Sequence, residues 1–247
     1  MAGHATALPE IILPAPDLDP WPLTIATYNI HGAVGTDGRF APLRIVEVLE
    51  ELQADIVALQ EVPLGGSGML NVLECLSEKT GFHAVEGYTF SLSGRRYGNA
   101  ILSRYPVFAS RAIDLSVGKH EPRCALEADV NCHGHPLRVV ATHLGLSLSE
   151  RRKQIERLLQ VFDTEQMAMV LLGDINEWFV WGRSLRRLVN HFEAVPACAT
   201  FPSRWPIFAL DRIWIKPRHR LAQVRVHASP VARVASDHLP LIAYIDG

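Results

Sequence analysis

Met167-Ala168-Met169-Val170-Leu171-Leu172-Gly173-Asp174-Ile175-Asn176-Glu177 is an apolar run that stops on a carboxylate and an amide. Met167 to Leu172 reads as a buried strand. Gly173 to Asn176 then close it with groups able to bind a cation or a phosphate oxygen. An Asp or Asn at one strand end is ordinarily a turn or cap residue. Here the pattern recurs along the chain. Strand Leu23 to Ile30 carries Asn29, and Asp55 to Gln60 runs into Glu61. Leu137 to Ala141 runs into Thr142-His143. Asp211 opens Arg212-Ile213-Trp214-Ile215, and Ser236-Asp237-His238 opens the final strand. If these boundaries meet at one end of the sheets, they form one polar cluster.

Between these strands the pattern alternates. Leu43, Val46, Leu49 and Leu52 predict a helix over 42–53, and a second helix over 68–80 closes on Gly81. Further strands are predicted over 97–103, 107–115, 123–131 and 137–143. In the third of these, Cys124, Leu126, Ala128 and Val130 share a face opposite Arg123, Glu127 and Asp129, and a turn at His133-Gly134 makes a hairpin with the next. Ser149 is a candidate cap for a helix over 150–163, followed by a shorter helix near 182–190. The last strands fall at 212–215, 221–227 and 239–245. Residues 1–22, with Pro9, Pro14, Pro16, Pro20 and Pro22, read as an extended proline-rich arm before one domain over 23–247. The expectation is a single α+β domain with much antiparallel sheet.

The 247 residues are 48% apolar and 20% charged, a globular balance that excludes a disordered or fibrous chain. A formal net charge of -2 argues against coating a polyanion by charge alone. Arginine outnumbers lysine 20 to 4, which suits phosphate contacts, although codon bias is the plainer reading. Cys75, Cys124, Cys132 and Cys198 form no C-x-x-C pair. With no secretory pattern and no apolar run of membrane-spanning length, the sequence reads as cytoplasmic with reduced thiols.

The donor types point to a reaction. Carboxylates with Asn carbonyls favour Mg²⁺ or Mn²⁺ over zinc. Such a metal polarises phosphoryl oxygens while a carboxylate handles water and His or Asn donors hold the developing charge. There is no nucleophile elbow, and Gly65-Gly66-Ser67-Gly68 lacks a P-loop ending and reads as a flexible loop.

These residues together resemble the endonuclease/exonuclease/phosphatase superfamily, the fold shared by DNase I-like nucleases, abasic-site endonucleases, neutral sphingomyelinases and inositol-phosphate 5-phosphatases. The matching pieces run in the family's order over residues 23 to 245. They are Thr27-Tyr28-Asn29-Ile30, Asp55 through Val62, Gly98-Asn99-Ala100-Ile101-Leu102-Ser103 and Ala141-Thr142-His143-Leu144. Leu172 through Glu177, Leu210-Asp211-Arg212-Ile213 and Ser236-Asp237-His238-Leu239-Pro240 complete the set. The resemblance implies a four-layer α/β sandwich of two mostly antiparallel sheets with helices outside. It implies Glu61 as the main metal ligand, supported by Asn29, with Asp237 as ligand or neighbour of the metal. Asp174 is expected to orient or activate water, and Asn176 to contact phosphate. His143 and His238 are expected to donate to phosphoryl oxygens, and Asp211 to fix the tautomer of His238. Asn99 is expected in the phosphate pocket.

The substrate is less legible. The loop Trp178-Phe179-Val180-Trp181 and the segment 201–206 could stack on a base, touch lipid, or simply pack on neighbouring elements. Arg95-Arg96 could hold a second phosphate or sit on a solvated hairpin. Arg151-Arg152-Lys153 opposes the dipole at a helix start, which suggests an anion partner or an exposed face. Near-neutral charge and compactness favour a phosphodiesterase or phosphatase acting on a small molecule or lipid headgroup. The alternatives are a DNA or RNA nuclease and a non-catalytic binding module. No protein partner is expected.

Overall fold

The computed structural model describes residues 22–66, 69–162, 167–179 and 182–246. All but Pro22 of the expected arm over 1–22 lies outside them, as do Ser67-Gly68 and Val180-Trp181. Twelve strands form two sheets among the described residues. The first contains β1 (Leu23–Asn29), β2 (Ile56–Gly66), β3 (Met69–Asn71), β4 (His83–Leu92), β5 (Arg95–Ser103), β11 (Leu221–Val226) and β12 (Leu241–Ile245). The second contains β6 (Val107–Asp114), β7 (Cys124–Cys132), β8 (His135–His143), β9 (Ala168–Asp174) and β10 (Asp211–Lys216). Pairing is antiparallel except at β1–β2 and β8–β9.

The central strands of both sheets are covered on both faces, which is why they read as unbroken apolar runs rather than alternating ones. Ile56 and Ala58 of β2 face the second sheet, where they meet Leu126, Val139, Val170 and Leu172. Val57 and Leu59 face the other way, under α1 (Pro42–Leu52) and α2 (Val72–Thr80), with Ile45, Leu49 and Leu76. On the far side Val140, Leu171 and Trp214 pack under α3 (Leu148–Val161) and α4 (Arg183–Phe192), against Ile155, Leu158 and Leu188. The order helix, sheet, sheet, helix is the expected four-layer sandwich. A short α5 (Ala232–Ala235) leads towards β12.

Some boundaries differ. The second helix starts at Val72, because Asn71 caps it by accepting from Glu74 N, and β3 occupies the residues before it. The third helix starts at Leu148 behind Ser147, not at a Ser149 cap, since the two serine hydroxyls bond each other at 3.1 Å. Strand β4 has no clean apolar alternation, because it is a largely exposed edge. No helix among the described residues is long and apolar enough to cross a membrane.

Candidate active site

Three strands of the second sheet end side by side. His143 and Asp174 are register partners across parallel β8–β9. Asp174 and Asp211 are partners across antiparallel β9–β10. Gly173 makes this row possible: a Cβ there would stand 1.8 Å from the carbonyl oxygen of Thr142, and its φ is +145°. From the first sheet, Asn29 ends β1 beside Gln60 of β2. The β2–β5 register slips between Leu59 and Val62, and Glu61 takes φ 55°. This one-residue bulge ejects the Glu61 carboxylate from the strand into the cleft. Asn176, at φ 53°, is likewise left-handed and turns the chain back over the strand ends.

Hydrogen bonds knit the row together. Asn29 Nδ2 donates to Glu61 Oε1 at 3.0 Å and to Asp174 Oδ2 at 3.2 Å. Asn29 Oδ1 accepts the His31 N–H at 3.0 Å. In this rotamer Asn29 therefore positions two carboxylates instead of offering its own oxygen to a metal. Asp174 Oδ1 accepts the Asn176 N–H at 2.9 Å, and Oδ2 lies 3.5 Å from His143 Nε2 and 3.7 Å from His238 Nε2. The other side of His238 is fixed by Asp211, whose Oδ2 is 2.9 Å from Nδ1 and also accepts from Thr200 Oγ1. Ser236 adds a brace: its hydroxyl donates to Asn29 O at 2.7 Å and accepts the His238 N–H at 3.2 Å.

Burial and charge separate the two histidines. Burial alone would lower His238, but the Asp211 and Asp174 carboxylates and the Asp211 hydrogen bond lift it to about 10. Burial and the positive Arg123 and His238 push His143 well below its ordinary value. Burial raises the Asp174 carboxyl to about 6, and Asp211 adds to the rise against the pull of His238. At neutral pH the site holds an imidazolium, a neutral imidazole and an ionised aspartate, side by side. Opposed shifts of this kind mark acid–base sites.

Asn176 Nδ2 donates to Leu144 O at 2.9 Å and lies 3.0 Å from His143 Nε2. Asn99 lines the cleft, but its amide nitrogen is committed to Cys124 O at 2.8 Å. Asp237 turns towards His31, 3.6 Å away, and takes no part in the Asn29–Glu61–Asp174 bonds among the described residues. Three contributors had no role assigned from the sequence, although Ser236 stands in the Ser236-Asp237-His238 segment noted there. His31 and Ser236 act through backbone neighbours. Arg123 reaches the cleft, with Nη1 3.4 Å from His143 Nδ1 and 2.7 Å from Glu121 Oε1. The His31 contact is local, two residues from Asn29, whereas the Ser236–Asn29 and Arg123–His143 contacts join distant parts of the chain. Arg96 is bound to Glu86 at 2.8 Å and lies over the Tyr88 ring, so it serves its hairpin. The anion opposite Arg151 is internal: it is Glu177.

The cleft over these groups holds about 410 Å³. Phe90, Leu92 and Tyr97 line it from the β4–β5 hairpin, and Leu146, Trp178 and Phe201 from the loops after β8 and β9 and before β10. Arg123 is the one Lys or Arg lining it among the described residues. Trp178 packs edge-on against Phe201 and Phe208 while also lining the cleft.

Among the described residues no group of three or more His, Cys, Asp or Glu is arranged to hold a metal. Glu61 and Asp174 nevertheless lie within reach of one amide nitrogen, and the Glu61 side chain is 37% exposed to the cleft. Mg²⁺ is usually held by one or two carboxylates, with water and substrate phosphate filling the remaining positions. The oxygen donors therefore fit a hard divalent cation and do not fit a closed zinc site.

A family model described as Endonuclease/Exonuclease/phosphatase family matches residues 26–238. The chain is 29% identical over 250 residues to the uncharacterized protein YbhP of Escherichia coli (strain K12), covering 90% of this chain and 95% of that one. The crystal structure of an endonuclease/exonuclease/phosphatase from Beutenbergia cavernae DSM 12333 superimposes with a TM-score of 0.76 at 23% identity, over 92% of this chain and 72% of that one. The human Nocturnin catalytic domain with bound sulfate anion gives 0.69 at 18% identity, over 92% and 94%.

Proposed function

The chain belongs to the endonuclease/exonuclease/phosphatase family, whose enzymes generally hydrolyse phosphoester bonds and generally depend on a divalent metal, and on that premise we propose that it is a Mg²⁺- or Mn²⁺-dependent phosphodiesterase or phosphatase of small organic phosphate esters. The observation carrying this reading is Asp174, buried between the Asn29–Glu61 pair and the His143 and His238 imidazoles.

Glu61 would hold the metal, with Asp174 turned to the water beside it, and the ion would polarise the phosphoryl oxygens when bound. The chain's own residues do the rest. Asp174, ionised at neutral pH, accepts the proton of the attacking water. His238, kept protonated by Asp211, donates through Nε2 to a phosphoryl oxygen and stabilises the charge that grows there. Neutral His143 contributes a hydrogen bond without a second full charge, and Asn176 offers the phosphate the amide hydrogen that Leu144 O does not take. Arg123, buried beside His143, supplies the remaining positive charge. Asp237, beside His31, is assigned to the outer edge of the metal position, and Asn99 to the wall of the phosphate pocket.

Two features support a compact ester over a nucleic-acid strand. Among the described residues the cleft is lined by one arginine, itself paired with Glu121, whereas a polyanion needs a basic track. Its flanks are aromatic and aliphatic, and suit an organic substituent. Free thiols at Cys75, Cys124, Cys132 and Cys198 support a cytoplasmic setting.

The test is a paired assay with Mg²⁺ or Mn²⁺, with EDTA and Glu61→Ala as controls. One arm holds bis-p-nitrophenyl phosphate and p-nitrophenyl phosphate, the other plasmid and single-stranded DNA. Metal-dependent cleavage of the small esters, lost in the variant, is expected. Metal-dependent DNA cleavage with no ester turnover would replace this reading with a nuclease. Silence in both arms would favour a binding module.

A further inference from the structure

Arg151 stands in the first turn of α3, where a cation opposes the helix dipole, and its side chain is only 2% exposed. Its partner Glu177 is 1% exposed. Arg151 Nη1 donates to Gly145 O at 3.1 Å and to Leu146 O at 2.6 Å. Nη2 lies 3.5 Å from Glu177 Oε1, which also accepts the Phe179 N–H at 3.3 Å. Arg151 Nε and Glu177 Oε2 are buried without a hydrogen-bond partner among the described residues. A buried ion pair left partly unsatisfied is poor value as a stabiliser, because desolvation offsets the attraction.

Its location suggests what it does. Gly145 and Leu146 directly follow His143 and Leu144, and Glu177 directly follows Asn176. Above the ion pair the same two segments are joined by Leu144 N to Asp174 O at 2.9 Å and by Asn176 Nδ2 to Leu144 O at 2.9 Å. The segment at 145 also rests tightly on α3: Gly145 N donates to Gln154 Oε1 at 2.8 Å, and a Cβ on Gly145 would fall 2.0 Å from the Glu150 carboxyl carbon. One planar guanidinium thus clamps the loop behind β8 to the loop behind β9.

We propose that Arg151 is a positioning residue for phosphoester hydrolysis, holding the His143 loop and the Asn176 loop in fixed relation through the Gly145 and Leu146 carbonyls and the Glu177 carboxylate. This rests on the phosphoesterase reading above. Lysine would keep the charge near Glu177 but lacks the fork that serves carbonyls and carboxylate together.

The experiment measures Arg151→Met, Arg151→Lys and Glu177→Gln by steady-state hydrolysis of bis-p-nitrophenyl phosphate, per folded molecule, and by amide hydrogen exchange. Arg151→Met is expected to lose about 10- to 100-fold in kcat with KM changed by less than about threefold, and Arg151→Lys to recover part of the loss. Exchange is expected to quicken together over 143–147 and 175–179, with β7 and β9 as protected as in the wild type. A kcat within about twofold of wild type in Arg151→Met, or exchange rising evenly along the chain, overturns the proposal. If Arg151→Met does not fold, Arg151→Lys and Glu177→Gln decide: wild-type kcat in both overturns it. If the wild type hydrolyses no ester, the phosphoesterase reading fails by itself, and the exchange comparison still decides whether the clamp exists.

Discussion

Asp174 and Asp211 face each other as register partners across β9 and β10, and the His238 ring stands between them, 2.9 Å from Asp211 through Nδ1 and 3.7 Å from Asp174 through Nε2. Two buried carboxylates on adjacent strands would repel. A protonated imidazole between them offsets that repulsion and leaves one carboxylate facing the cleft.

Asp211→Asn therefore removes the group that most strongly keeps His238 protonated. The variant should fold and lose about 100-fold or more in kcat. The alkaline limb of its pH–rate profile should move to lower pH. Steady-state kinetics from pH 6 to 10 check both; an unmoved limb would show that His238 does not titrate in turnover.

The same pair makes stability depend on pH. His238 is raised to about 10 in the folded chain from an ordinary 6.5, so its contribution is complete below about pH 6.5 and is lost as pH rises through 10. Urea unfolding in EDTA should therefore show stability falling between pH 7 and 10. One proton limits that fall to about 1.4 kcal/mol per pH unit. Buried Cys132, raised to about 12, adds a fall of the same sign at the alkaline end. The difference between wild type and Asp211→Asn isolates His238, and parallel curves would refute its coupling to Asp211.

Glu61→Gln keeps the shape of the bulged residue and removes its charge. The Mg²⁺ concentration for half-maximal activity should rise by about tenfold or more. An unchanged metal titration would remove Glu61 from the metal position.

Gly173→Ala places a methyl against the Thr142 carbonyl between β8 and β9 and forces a positive φ on a residue with a Cβ. A loss of about 2–4 kcal/mol is expected on chemical denaturation. A neutral result would mean that the two strands part easily, and would undermine the fixed row of His143, Asp174 and Asp211.

The strand ends were legible in the sequence because β1, β2, β8 and β9 are covered on both faces. Their apolar runs are therefore unbroken, and the polar residue closing each run stands out. Asn29, Glu61, His143, Asp174, Asn176, Asp211 and His238 do converge. What sequence spacing could not carry was conformation and partnership. The left-handed φ of Glu61 depends on a bulge against β5, and the rotamer of Asn29 on the His31 N–H. Arg123 reads as the polar side of an alternating strand until β8 lies beside it. Arg151 reads as helix surface until the loop after β9 brings Glu177 over it. Edge strand β4 was missed because its exposed faces need no apolar pattern.

The most direct test of Asp174 as the group that receives the water proton is Asp174→Asn, compared with wild type for bis-p-nitrophenyl phosphate turnover, thermal unfolding and calorimetric Mn²⁺ binding. The amide keeps the shape and cannot take the proton. The account predicts kcat reduced by about 100- to 10,000-fold, with the fold kept and Mn²⁺ still bound. Turnover near the wild-type rate in a folded, metal-binding variant would contradict it.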